Sequence, residues 1–154
     1  MTDDQSLRVS KIENGTVIDH ITGGQALNVL AILGIDGTDG EPISIVMNIP
    51  SDRLGRKDIV KVEGRELSEE EVDVLSLIAP AATINIIRAY DVVEKHRVTS
   101  PDAVSGVLEC PNHNCITTEN EPVESHFEVL EDGVRCTYCD TIIREDIAAH
   151  SLAT

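Results

Sequence analysis

The sequence predicts an α+β protein built as an N-terminal ferredoxin-like β-α-β-β-α-β domain with an antiparallel sheet, residues 1–100, and a small C-terminal all-β module, residues 101–154. Three observations predict it. Strand-like and helix-like apolar patterns alternate over the first hundred residues. All four cysteines lie in the last third, as two close pairs, Cys110 with Cys115 and Cys136 with Cys139. Aromatic residues are almost absent (Phe127, Tyr90 and Tyr138), so the core must be built from Val, Ile, Leu and Ala.

In chain order, residues 7–12 carry Leu7, Val9 and Ile12 and read as a short strand, and residues 16–21 continue the extended stretch. Gly23-Gly24 breaks it. Residues 25–33 place Ala26, Leu27, Val29, Leu30 and Leu33 on one helical face, and Gly34 ends that helix. Residues 42–49 form a strand stopped by Pro50-Ser51, residues 51–56 a polar turn, and residues 58–62 a second strand. Ser68 is an N-cap, and Glu71 three residues later completes a capping box. Val72, Leu75, Ile78 and Ala79 are the stripe of the second helix, which Pro80 ends. Residues 83–93 are rich in β-branched residues and read as one strand, and residues 95–101 as a link. Residues 104–148 should be short strands around the cysteines.

Two cysteines a few residues apart on a tight turn can face one ion, and two such turns supply a tetrahedron. Thiolates are soft ligands, so zinc is the first expectation and iron the second. Four protein ligands leave no open position, which makes the ion structural. Two disulfides compete with this reading, but the acidic N-terminus shows no secretory pattern, and a cytoplasmic location is expected. His113, inside the first pair, competes as a ligand.

The chain holds 28 acidic against 12 basic residues, a formal net charge of −16. The acids spread along the whole chain, as in proteins adapted to a salt-rich cytoplasm, where screening suppresses self-repulsion. Residues 101–154 alone hold two bases, Arg135 and Arg144, against eleven acids, a balance of −9. Such a surface repels a phosphate backbone, which disfavours a stand-alone zinc-ribbon adaptor or nucleic-acid-binding module and points to a protein partner. No apolar run is long enough to span a membrane. No P-loop, dinucleotide fingerprint or zinc-hydrolase motif is present, and no catalytic residue is assigned. Asp19-His20 could be half of an acid/base pair, but on its own reads as a polar strand end. Lys61 and Lys95, near predicted strand ends in a lysine-poor chain, are candidate phosphate contacts or plain surface lysines.

Gly15-Thr16-Val17-Ile18-Asp19-His20-Ile21, Gly55-Arg56-Lys57-Asp58, Lys61-Val62-Glu63, Leu67-Ser68-Glu69, Ala79-Pro80-Ala81-Ala82-Thr83-Ile84-Asn85 and Cys110-Pro111-Asn112 with Asn114-Cys115 resemble the regulatory chain of aspartate carbamoyltransferase. The resemblance implies a non-catalytic allosteric subunit in pyrimidine synthesis that binds the nucleotide effectors CTP and ATP. It also implies a regulatory-chain homodimer, and a domain with one structural zinc ion that docks on the catalytic chain and links catalytic trimers. By the same resemblance, Asp19 and Lys61 would contact ribose and base, and His20 and Lys95 the phosphates. Val9, Ile12, Val17, Ile59, Asn85, Ile87, Tyr90 and Val92 would line the base pocket. Cys110, Cys115, Cys136 and Cys139 would hold the zinc, and Asn112 and Asn114 would reach the catalytic chain.

Overall fold

The computed structural model describes residues 12–118 and 123–152. Val9 and all of the first expected strand except Ile12 lie outside the described residues. Strands β1 (Gly15–Thr22), β2 (Ile43–Ser51), β3 (Gly55–Glu63), β4 (Thr83–Arg88) and β5 (Asp91–Arg97) form one antiparallel sheet in the order β2-β3-β1-β4-β5. Helices α1 (Ala26–Ile32) and α2 (Glu69–Leu75) pack on it.

Alternation along the central strands selects the buried face. Ile18 of β1, Val60 and Val62 of β3, and Ile84 and Ile86 of β4 join Ala26, Val29, Leu30 and Leu75 in an aliphatic core. The α2 capping box forms as expected: the Ser68 hydroxyl accepts the Glu71 N–H, and the Glu71 carboxylate accepts the Ser68 N–H.

Four boundaries differ from the sequence reading. Strand β2 continues through Pro50 to Ser51, because it is an edge strand where a residue without an N–H breaks no ladder. Residues 83–93 are a hairpin, not one strand, with Ala89 (φ 51°) and Tyr90 (φ 68°) forming a two-residue turn. Asn14 Oδ1 accepts the Ala89 N–H and Glu13 O accepts the Tyr90 N–H, which holds a left-handed turn that carries no glycine. Strand β5 reaches Arg97, so the link begins only at Val98. Helix α2 stops at Leu75, where the Ser76 hydroxyl donates to Asp73 O and the backbone tightens into i→i−3 bonds.

The C-terminal domain is a four-stranded antiparallel sheet of β6 (Ala103–Ser105), β7 (His126–Leu130), β8 (Gly133–Cys136) and β9 (Ile142–Ile143), in sequence order. Phe127, Leu108 and Val134 are fully buried with Cys110, Cys115 and Cys136 in its core. Leu77 and Ile78, just after α2, pack against this core and against the N-terminal one. Among the described residues no helix is long and apolar enough to cross a membrane.

Candidate functional site

The sheet face away from α1 and α2 carries the first group of candidate residues. The register aligns Lys61 (β3), Val17 (β1), Asn85 (β4) and Lys95 (β5) in one row across four strands. Ile87 and Val92 pair in a neighbouring row, with Tyr90 on the exposed hairpin tip. Alternation puts Lys57, Ile59 and Lys61 on this face of β3, since Asp58, Val60 and Val62 are buried on the other. Ile12 is buried beside Gly15. Gly15 opens β1 at a point where a Cβ would lie 2.2 Å from Val62 O, so no larger residue fits there.

A β-bulge makes the polar end of this face. The β1 register shifts between Ile18 and Ile21, and both of those isoleucines are fully buried. The extra residue therefore keeps both Asp19 and His20 out of the core. His20 takes φ 57°, its N–H donates to Asp19 Oδ1 at 2.6 Å, and its Nδ1 lies 3.1 Å from Thr83 Oγ1. Lys57 Nζ is 3.1 Å from Asp19 Oδ1. Burial holds the His20 imidazole below its ordinary range; Asp19 opposes this, while Lys57, Arg53 and Lys95 push the same way. Burial also lowers the Lys61 ammonium against the opposing pull of Glu63. Lys57, ion-paired to Asp19, thus joins the candidate residues, and the charge of Arg53 reaches His20, although the sequence reading did not single them out. The period-two spacing of Lys57 and Lys61 along a strand was the available signal.

The four cysteines converge. Their Sγ atoms lie within 4.8 Å of one another, with Cys110–Cys139 at 3.6 Å and Cys115–Cys136 at 3.7 Å. A disulfide needs about 2.05 Å. A tetrahedron of sulfurs at about 2.3 Å from a central cation has edges of about 3.8 Å. The donor set therefore fits one tetrahedral soft cation and no disulfide, and His113 is not part of the cluster. Thr118 Oγ1, within bonding reach of the carbonyls of Asn112, His113 and Cys115, ties the first pair's loop. The Asn112 side chain turns back to accept the Asn114 N–H, while Asn114 is exposed. Without a cation the thiols do not ionise together. Burial pushes Cys110 up to about 12 and raises Cys136, while the Thr141 hydroxyl holds Cys139 down to about 6. A divalent cation overcomes this spread by binding all four as thiolates.

Comparison with known proteins bears on both regions. Residues 7–99 match the family model for the allosteric domain of the aspartate carbamoyltransferase regulatory chain, and residues 102–149 that for its metal binding domain. The aspartate carbamoyltransferase regulatory chain of Haloarcula marismortui is 79% identical over 150 residues, covering 97% of both chains. That of Natronomonas pharaonis is 79% identical over 147 residues, covering 96% of both. That of Methanoculleus marisnigri is 59% identical over 146 residues, covering 95% of this chain and 94% of the relative. The relatives include proteins of halophilic archaea, in keeping with the excess of acidic residues.

Proposed function

The chain belongs to the aspartate carbamoyltransferase regulatory chain family and is a non-catalytic subunit; from that premise we propose that it reads nucleotide effectors, CTP and ATP, on the open sheet face of residues 1–100. One observation carries the reading. In a chain of net charge −16, Lys57, Lys61, Lys95 and His20 gather on one face around the acceptor Asp19. Cations there hold a triphosphate, Asp19 accepts ribose hydroxyls, and Val17, Ile59, Ile87 and Val92 give flat apolar walls to a base. Residues 101–154 form the docking module. Zinc held by Cys110, Cys115, Cys136 and Cys139 shapes a surface with Asn114 and the exposed Ile116, Tyr138 and Ile142, which fits a protein partner, the catalytic chain. A second regulatory chain covers the β2 edge and the apolar groove lined by Leu27, Ile43 and Ile45, since an unpaired edge invites a partner. In that arrangement regulatory dimers link catalytic trimers in the cytoplasm. An effector shifts the enzyme only by its differential affinity for two states, about 1–3 kcal/mol.

Lys95→Ala is expected to weaken CTP and ATP binding about tenfold, the loss of one charge-assisted contact, and to leave assembly intact. Isothermal titration giving wild-type affinities would remove Lys95 from the site.

Binding should also depend on pH. In the free protein His20 protonates only below its ordinary range. A bound triphosphate favours the charged imidazole, so the bound pKa exceeds the free one and binding takes up a proton. Affinity therefore rises as the pH falls from 8 toward 6, in the direction linkage requires. His20→Gln flattens the dependence. Titrations at both pH values that show equal slopes for wild type and variant would exclude His20 as the source.

A further inference from the structure

We propose that Thr117 and Thr141 are positioning residues of the metal centre, each donating a hydroxyl hydrogen bond to a metal-bound thiolate and together offsetting the charge of the site. The proposal rests on reading the four cysteines as a zinc site. Cys115-Ile116-Thr117 and Cys139-Asp140-Thr141 repeat one pattern, a threonine two residues after the second cysteine of each pair. The structure gives both the same geometry: Thr117 Oγ1 is 3.1 Å from Cys115 Sγ, and Thr141 Oγ1 is 3.1 Å from Cys139 Sγ. A metal-bound thiolate has no proton, so the hydroxyl must be the donor. Thr141 O also accepts the Cys136 N–H at 2.8 Å, so this residue braces both cysteines of its pair.

The module's charge makes these two bonds matter. A divalent cation with four thiolates carries about two net negative charges. Residues 101–154 contain no lysine and only two arginines. Arg135 is engaged by Glu128 and Asp140, and Arg144 by Asp132. Among the described residues both arginines of the module are already ion-paired, which leaves neutral dipoles to offset the charge of the centre. Hydroxyls pointed at sulfur lower its donor strength and hold it in place, the way outer-shell partners set the lifetime of a bound metal.

The test uses the full chain assembled with its catalytic partner, in molar potassium chloride at fixed pH. Zinc content and the rate of zinc transfer to a chromogenic chelator are measured for wild type, Thr117→Val, Thr141→Val and the corresponding serine variants. Each valine variant is expected to lose zinc about tenfold faster or more. In cobalt-substituted protein its thiolate-to-cobalt charge-transfer band moves to lower energy, because the sulfur lone pair is no longer stabilised by a donor. Serine keeps the hydroxyl and restores both readouts. Where a valine variant does not fold, the Ser and Ala variants carry the same comparison. Wild-type rates with an unshifted band in the valine variants overturn the proposal alone, as do serine variants that behave like valine. A wild-type chain that holds no zinc on its cysteines overturns the zinc reading, and the proposal with it.

Discussion

Replacing Asp58 by alanine should destabilise the N-terminal domain by about 4 kcal/mol. Asp58 is fully buried, and its carboxylate accepts three backbone N–H groups from two other elements. Gly24 and Ala26 donate to Oδ2 at 2.9 Å each, and Asn48 donates to Oδ1 at 2.8 Å. Helix α1 has no side-chain cap of its own at Gln25, so a carboxylate from β3 takes that part from across the fold. Asn48 sits at φ 62° in the β2 bulge, and the same carboxylate holds that turn. Alanine leaves three buried donors without partners, each costing about 1–3 kcal/mol, partly relieved by water or relaxation. Asparagine keeps one acceptor but aims an N–H₂ at an N–H, so it should recover less than half of the loss. Asp58 also fixes the part of β3 that presents Lys57 to Asp19, so under the proposed function nucleotide affinity should fall along with stability. Urea unfolding of Asp58→Ala with a wild-type midpoint would show that the clamp contributes nothing.

Asp58 also marks the limit of what could be read ahead of the structure. The alternation of Val60 and Val62 with Ile59 and Lys61, the Ser68–Glu71 box and the cysteine spacing are local patterns, and each carries its own physics. They were enough to place both helices, the β1, β2 and β3 strands and the metal cluster, but not the β4–β5 hairpin or the early end of α2. The bulge at Asp19-His20 is different. It depends on Ile18 and Ile21 both reaching the core across a shifted register, and no residue at that point signals it. That is why Asp19-His20 in isolation reads as an ordinary strand end, while the folded sheet sets it among three cations, Lys57, Arg53 and Lys95. The hairpin at Ala89-Tyr90 was hidden for a related reason. Left-handed turns are announced by Asn or Gly, and here Asn14 supplies the stabilising bond from another part of the chain. Long-range hydrogen bonds, unlike periodicity, leave no trace in the segment they organise.

Removing the metal should unfold the C-terminal domain and release the catalytic chain, while the N-terminal sheet stays folded. Three of the four cysteines are buried in the small core itself, beside Phe127, Leu108 and Val134. That core holds one aromatic ring, and sheet β6–β9 ends in a two-residue strand. A unit this small buries too little apolar surface to fold unaided. Metal coordination contributes on the order of 10 kcal/mol to such a module, comparable with the whole stability of a domain. Acid should act in the same direction. In the metal-free site burial pushes Cys110 up to about 12, so binding at neutral pH must displace its proton, and affinity falls as pH falls. The N-terminal core has no ligand in the cluster; Leu77 and Ile78 pack against both cores, and helix α1 also meets residues 147–150 of the metal domain. Hydrogen exchange should therefore show amides of β6–β9 losing protection on chelation while those of β1, β3 and β4 keep it. Sedimentation should show the catalytic chain leaving in the same step. Cys136→Ser, which removes a fully buried ligand, should reproduce both effects without a chelator. If metal analysis shows the ion gone and the complex still sediments whole with β6–β9 protected, the metal does not hold the docking surface.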